Sequence, residues 1–137
     1  MENSHVTKLE IDVEALKFNL TYFKSKILPS TKVLVVVKAF AYGSNSVAIA
    51  QTLKSEVDYF AVAYSDEGIA LKNATIDTPI LVFHPQKINL EKIILSNLEP
   101  AIYSFPLLQE FLKIARSKGV RNFPVHLKFN TGLNRLG

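Results

Sequence analysis

A run of apolar, mostly β-branched residues occupies positions 32–38 (KVLVVVK). Polar and apolar residues do not alternate within it, and such a run is typical of a strand buried on both faces of a parallel sheet. Four further short apolar runs predict strands at residues 57–63, 79–83, 99–103 and 123–129. The last but one is the weakest because it contains Pro100.

Segments with helical periodicity separate these strands. They predict helices at residues 12–28 (Asp12 as N-cap, closed by Pro29), 47–53, 65–72 (Ser65 as N-cap), 89–96 and 104–118 (stopped by Gly119). Alternation over short connections predicts βαβ units in a parallel sheet. Five strands fit either a small doubly wound sheet or the first part of an eight-stranded barrel, and the pattern alone does not choose between them.

Composition excludes several classes of protein. The 137 residues are 48% hydrophobic and 20% charged with a net charge of +4, which are the proportions of an ordinary globular chain. Without cysteine, the chain has no disulfide scaffold, thiolate metal site or cysteine nucleophile. Acidic residues interrupt positions 1–20, and no later run is long enough for a membrane span, so we predict a cytoplasmic protein.

Basic residues are concentrated near the end of the chain. An excess of this kind indicates either a nucleic-acid surface or a site for an anionic ligand. Lys113, Arg116 and Lys118 lack interleaved aromatic residues and read as an ordinary helix face, so no nucleic-acid partner is predicted. The three histidines, His5, His84 and His126, lack metal-site spacing, and no phosphate-binding loop is present.

Two lysines end predicted strands, where ligands bind in parallel α/β folds. Lys38 precedes a turn that contains Tyr42, and an amine at an apolar edge can form a Schiff base or act as a base, or simply extend into water. Lys128 is followed by Arg135, whose planar guanidinium suits a carboxylate or phosphate. His126, in the same strand as Lys128, is predicted to be structural.

Two segments are more specific than this general pattern. VVVKAFAYGSNSV at 35–47 and VHLKFNTGLNRLG at 125–137 resemble the two site motifs of alanine racemases, and residues 10–20 and 58–83 resemble the same family. The segments AYSDEG and EPAIYSF are most similar to those of racemase domains fused behind a muramoyl-peptide ligase. The resemblance implies an α/β fold, about the first half of a (β/α)8 TIM barrel, with residues 1–137 as the N-terminal part of a cofactor-binding barrel domain.

The resemblance also implies a cofactor and roles for four residues. Lys38 would bind pyridoxal 5′-phosphate covalently and serve as a catalytic acid/base at the substrate Cα. Tyr42 would contact the cofactor phosphate, and Arg135 the cofactor's phenolic oxygen and the substrate carboxylate. Lys128 matches a lysine that is carbamylated in many members and holds that arginine in place.

Three positions depart from the family pattern. Phe40 stands where many members have Asn, Asn130 where Asp is usual, and Leu133 where Met is usual. We expect the first and third to be tolerated packing changes. Asn130 removes a negative charge near Arg135, so it is expected to weaken the placement of the guanidinium.

Family members are longer than this chain. The resemblance places the second catalytic base, a tyrosine, in the partner subunit, so we expect this chain alone to be inactive and the protein to form a homodimer. The implied activity is interconversion of L- and D-alanine for peptidoglycan synthesis. Alternatives are a non-catalytic pyridoxal phosphate binding protein, an α/β interaction module, or a racemase for another amino acid.

Overall fold

The structure, a computed structural model, describes residues 7–137. These residues form parts of two compact units, which meet in the chain between Thr31 and Lys32. His5 and the other residues at positions 1–6 of the stretch 1–20 lie outside the described residues. Within residues 7–137, no helix combines the length and the apolar character needed to cross a membrane.

The first unit contains one helix, α1 (Val13–Lys24). Asp12 is its N-cap as predicted, because its Oδ1 accepts a hydrogen bond of 2.9 Å from the backbone N–H of Ala15. The helix ends earlier than predicted. The N–H groups of the following residues, Lys26 and Ile27, donate to carbonyls three residues back, which is the tighter spacing that often ends a helix.

The second unit contains a five-stranded parallel sheet with the strands in sequence order. The strands are β1 (Leu34–Val36), β2 (Tyr59–Val62), β3 (Ile80–Val82), β4 (Glu99–Ile102) and β5 (His126–Leu127). A doubly wound sheet would reverse its strand order at a switch point, whereas a barrel adds each strand beside the previous one. The strand order therefore confirms the partial barrel.

Helical segments connect the strands. They are α2 (Lys38–Tyr42), α3 (Ser46–Leu53), α4 (Ser65–Asn73), a 3-10 turn (Lys87–Asn89), α5 (Leu90–Leu95) and α6 (Phe105–Ser117). Helix α4 packs against β2 and β3, and α5 and α6 pack against β4. The predicted strand at 123–129 is reduced to two residues, because Pro124 has no N–H to donate and β5 pairs only with β4.

The residues of β2 to β4 are buried on both faces of the sheet, which explains the missing alternation in their sequences. The prediction that β1 is buried on both faces is wrong for the described residues, because β1 lies at an edge of the sheet and Leu34 is 38% exposed. On one face, Phe60 and Val82 are completely buried. On the other, Ala61, Leu81 and Ala101 form a small core cluster. The second face is the inner face of the barrel, and it leads to the candidate site.

The start of α4 differs from the prediction. Its N-cap is Tyr64, and Ser65 is the first helical residue, with a buried Oγ that has no hydrogen-bond partner among the described residues. The backbone N–H of Tyr64 instead donates to the carboxylate of Glu67 at 3.0 Å. The prediction for α6 is confirmed: Ser104 caps its start, and Gly119 follows its end with φ of +66°.

Candidate active site

A cavity of about 800 Å³ opens at the carboxyl edge of the sheet. Lys38 follows β1 and Lys128 follows β5, so each of the two outer strands of the sheet is followed by an amine. The side chains of Tyr42 and Arg135 also line the cavity. The structure therefore brings together all four residues that the sequence singled out for chemistry.

The floor of this cavity is apolar. Its apolar lining residues are Val36, Ala63, Leu81, Phe83 and Ala101, and Val36 and Phe83 pack against the cluster of Ala61, Leu81 and Ala101. The alanines leave space on an inner face that larger residues would fill. The apolar part of the lining therefore suits a flat ring.

Lys38 begins an unusual turn. Four successive residues after it, Ala39 to Tyr42, have φ between 50° and 57°, which makes α2 a single left-handed turn. The backbone N–H of Val37 donates to Ala61 O at 2.9 Å, which extends the β1–β2 pairing up to the lysine. The sheet thus ends directly before Lys38, and the turn carries Tyr42 to the rim, where it is 71% exposed.

The second cationic segment follows β5. The backbone N–H of Lys128 donates to Ile102 O at 2.9 Å, which continues the pairing with β4. Asn130 then shapes the loop before Arg135: its Oδ1 accepts from the N–H groups of Gly132 (3.1 Å) and Asn134 (3.0 Å).

Asn130 also bonds through its amide nitrogen. Nδ2 donates to the Asn134 Oδ1 at 2.9 Å, which an aspartate at this position would not do. The amide therefore contributes to the order of the loop, whereas the sequence suggested only a loss. Of the other departures, Phe40 and Leu133 are more than half exposed, so neither is a packing change within the described residues.

The charge of the cavity favours an anionic ligand. Lys38, Lys128 and Arg135 supply three cationic side chains, and no acidic side chain of the described residues lines the cavity. His84 and His126 are also at its wall. Within residues 7–137, no cluster of three or more metal-ligating side chains is present, so the described part offers no metal centre.

Aromatic residues beside the cavity were not singled out from the sequence. Tyr64 follows β2 and stacks on His84, which follows β3, with ring centroids 5.8 Å apart. Tyr103 follows β4, and its ring contacts the His84 ring edge-on with the centroids also 5.8 Å apart. Tyr64 and His84 directly follow predicted strands and Tyr103 is the last residue of one, and these positions were the available signal.

His126 is paired as predicted. Its Nε2 lies 2.7 Å from Glu99 Oε2, and the Tyr59 hydroxyl donates to the same oxygen at 3.1 Å. Burial, together with the adjacent Glu99 carboxylate, raises the pKa of Tyr59. This cluster connects the starts of β2, β4 and β5 on the inner face of the sheet.

The lining residues fit pyridoxal 5′-phosphate. The Lys38 amine suits its aldehyde, and the apolar floor with Val36 and Leu81 suits its pyridine ring. Arg135 and Tyr42 offer donors for its anionic oxygens. The lining is therefore compatible with an aromatic, anionic aldehyde.

Comparison with known proteins agrees with this geometry. The family described as alanine racemase, N-terminal domain, matches residues 11–137. The alanine racemase of Synechocystis sp. is 40% identical over 134 residues, covering 94% of this chain and 35% of the relative. That of Methanococcus maripaludis is 35% identical over 136 residues, covering 98% and 36%.

A solved structure shows the same fold. The alanine racemase from Clostridium difficile 630 superposes with a TM-score of 0.86 at 36% identity, covering 90% of this chain and 33% of that chain. This chain spans about a third of the length of the curated relatives it matches. By the match over residues 11–137, the chain belongs to the alanine racemase N-terminal domain family.

Proposed function

We propose that residues 1–137 are the N-terminal part of the barrel domain of a pyridoxal phosphate dependent alanine racemase, which interconverts L- and D-alanine. The observation that supports this most directly is that Lys38, Tyr42, Lys128 and Arg135 all line one cavity, which also has apolar lining residues. Relatives that cover nearly the whole chain bear the name alanine racemase.

Each lining residue has a role in this proposal. Lys38 holds the cofactor and moves a proton to or from the substrate Cα. Arg135 donates hydrogen bonds to anionic oxygens, Tyr42 contacts the phosphate, and Lys128 supports the position of Arg135. Bound pyridoxal phosphate supplies an electron sink for the electron pair that remains when the Cα proton leaves.

Racemisation requires proton transfer on both faces of the Cα. Lys38 and Lys128 are the amines at this cavity, and the family resemblance places the opposite acid/base group, a tyrosine, in a partner subunit. We therefore propose that the active protein is a homodimer and that this chain alone does not racemise alanine.

Borohydride trapping tests the cofactor role. The chain is mixed with pyridoxal 5′-phosphate, reduced with borohydride, digested and mapped by mass spectrometry. We expect one dominant reduced adduct at Lys38, with Lys38→Arg abolishing it and Lys128→Arg leaving it in place. Adducts scattered over surface lysines in proportion to their exposure would contradict the proposal.

Activity is tested in a chimaera. Residues 11–137 replace the matching third of the Synechocystis alanine racemase, and exchange of the alanine Cα hydrogen with deuterated water is followed by mass spectrometry. Exchange with loss of optical rotation supports racemisation. Adduct formation at Lys38 without any exchange would favour the non-catalytic binding protein, and exchange only with serine or lysine would favour a different substrate.

We further propose that the product D-alanine serves peptidoglycan synthesis in the cytoplasm. The AYSDEG and EPAIYSF segments support a protein in which a muramoyl-peptide ligase precedes the racemase domain. An antibody raised against this chain tests the cytoplasmic location and the fusion. It should detect, in the cytosolic fraction, a polypeptide long enough for both enzymes; a band of racemase size alone would refute the fusion.

A further inference from the structure

Glu67 makes contacts that the proposed function does not use. Its carboxylate accepts three backbone hydrogen bonds: Oε1 from Ala39 N–H at 2.7 Å, and Oε2 from Ala63 N–H at 2.7 Å and Tyr64 N–H at 3.0 Å. One side chain thus joins the turn after Lys38, the end of β2 and the start of α4.

Two of these bonds are local and one is not. A glutamate in the first turn of a helix commonly reaches back to the N–H of the N-cap residue, and the bond to Tyr64 is of that kind. The bond to Ala39 spans 28 positions and leaves the helix altogether. Its donor is the residue immediately after Lys38.

The turn that contains Ala39 needs external support. Ala39, Phe40, Ala41 and Tyr42 all adopt left-handed backbone angles, which are disfavoured for residues other than glycine. Such a conformation persists where the surrounding structure fixes it. The charge-assisted bond that the Ala39 N–H donates to Glu67 fixes the first residue of the turn, because hydrogen bonds to a carboxylate are stronger than those to neutral acceptors.

We propose that Glu67 is a positioning residue for Lys38. It ties the left-handed turn to the β2–α4 junction and so fixes the direction in which the lysine enters the cavity. The catalytic importance of positioning Lys38 rests on the proposed function. The hydrogen bond between Ala39 and Glu67 does not depend on that function.

The variant Glu67→Gln separates the two sets of bonds. A glutamine has one acceptor oxygen and one donor nitrogen. With its oxygen at the Oε2 position it keeps the bonds from Ala63 and Tyr64, and its nitrogen then faces the N–H of Ala39. The orientation that keeps two bonds is favoured over the one that keeps one, so the variant breaks the Ala39 bond selectively.

Amide hydrogen exchange by NMR measures this loss. In the unmodified chain the Ala39 amide should be protected, and in Glu67→Gln its exchange should accelerate roughly 10- to 100-fold, as expected when a hydrogen bond to a charged group is lost. The Ala63 and Tyr64 amides should change less than threefold. Asp66→Asn is the matched control, since it removes the same charge from the same helix turn and should leave the Ala39 amide unchanged.

Three results would overturn the proposal. The first is an Ala39 amide that exchanges freely in the unmodified chain, which decides the matter even if the variant folds poorly. The second is an equal acceleration in Asp66→Asn, and the third is acceleration at Ala63 and Tyr64 as large as at Ala39. The last pattern would show that Glu67 merely stabilises its helix.

The effect on Lys38 is read from the trapped adduct. Glu67→Gln should raise the pyridoxal phosphate concentration for half-maximal trapping at Lys38 by about tenfold, with Asp66→Asn unchanged. Unaltered trapping in Glu67→Gln would refute the positioning role. Absence of a Lys38 adduct in the unmodified chain would instead refute the proposed function, and the Ala39 exchange would still decide whether Glu67 holds the turn.

Discussion

Replacing Ala39 by glycine is expected to stabilise the chain, although the same substitution destabilises most helices. Ala39 has φ of 50° and ψ of 52°, and its side chain is exposed, so the substitution removes no packing. The left-handed region costs a residue with a Cβ roughly 1–2 kcal/mol, a cost that glycine does not bear.

The entropy of the unfolded chain opposes this gain. Glycine adds freedom to the unfolded state that is worth about 0.4–1 kcal/mol. Taking the middle of each range, the difference leaves Ala39→Gly more stable by about 0.8 kcal/mol, or roughly 2–4 °C in Tm for a chain of this size. Ala70→Gly is the control, because Ala70 is exposed within the right-handed helix α4, where glycine costs about 1 kcal/mol.

Urea unfolding of the three proteins compares the two substitutions directly. The unfolding midpoint should rise for Ala39→Gly and fall for Ala70→Gly, with the slope of the free energy against urea unchanged in both. The opposite signs depend only on the sign of φ at the two positions. If Ala39→Gly lost as much stability as Ala70→Gly, the turn after Lys38 would not be left-handed, and the strain argument for Glu67 would fail with it.

Three further substitutions probe the remainder of the inner face and the rim. The pKa of Tyr59 is higher in the folded chain, so its contribution to stability is complete below about pH 10 and decreases as the pH rises further. In urea titrations, the stability advantage of the unmodified chain over Tyr59→Phe should therefore shrink above about pH 10. Glu99→Ala leaves the Tyr59 hydroxyl and His126 Nε2 without their acceptor and should lower the free energy of unfolding by about 2 kcal/mol; a loss under 0.5 kcal/mol would show that solvent replaces it. Asn130→Ala should accelerate amide exchange at positions 132 and 134 about tenfold, and unchanged exchange would show that the loop before Arg135 holds its shape without the amide.

Hydrophobic periodicity was sufficient to predict most of the elements. The apolar runs located β1 to β4 to within a few residues, and for β2 to β4 the reason is burial on both faces, which needs continuous apolar sequence. The order of the strands was not accessible in this way, since a doubly wound sheet and a barrel use the same βαβ units. The family resemblance, and then the observed strand order, separated the two.

The local conformation at Lys38 was beyond sequence reasoning. Glycine and asparagine are the usual signals of left-handed backbone, and the turn consists of alanine, phenylalanine and tyrosine. Glu67 gave no signal either, because a glutamate in a first helical turn is expected on local grounds alone. The contact that distinguishes it joins residues 28 positions apart and exists only in the folded chain.

The two cationic sides of the cavity are held in different ways. Glu67 binds the turn after Lys38 across the fold, so the position of that lysine is defined relative to the sheet. Among residues 7–137, the side-chain hydrogen bonds of Asn130 reach residues within four positions, so they set the internal shape of the loop. The hydrogen bonds of this loop therefore relate Arg135 to the sheet less directly than the Glu67 contacts relate Lys38 to it. It follows that a change at Glu67 should disturb the position of Lys38 relative to the sheet, whereas a change at Asn130 should disturb the shape of the loop before Arg135.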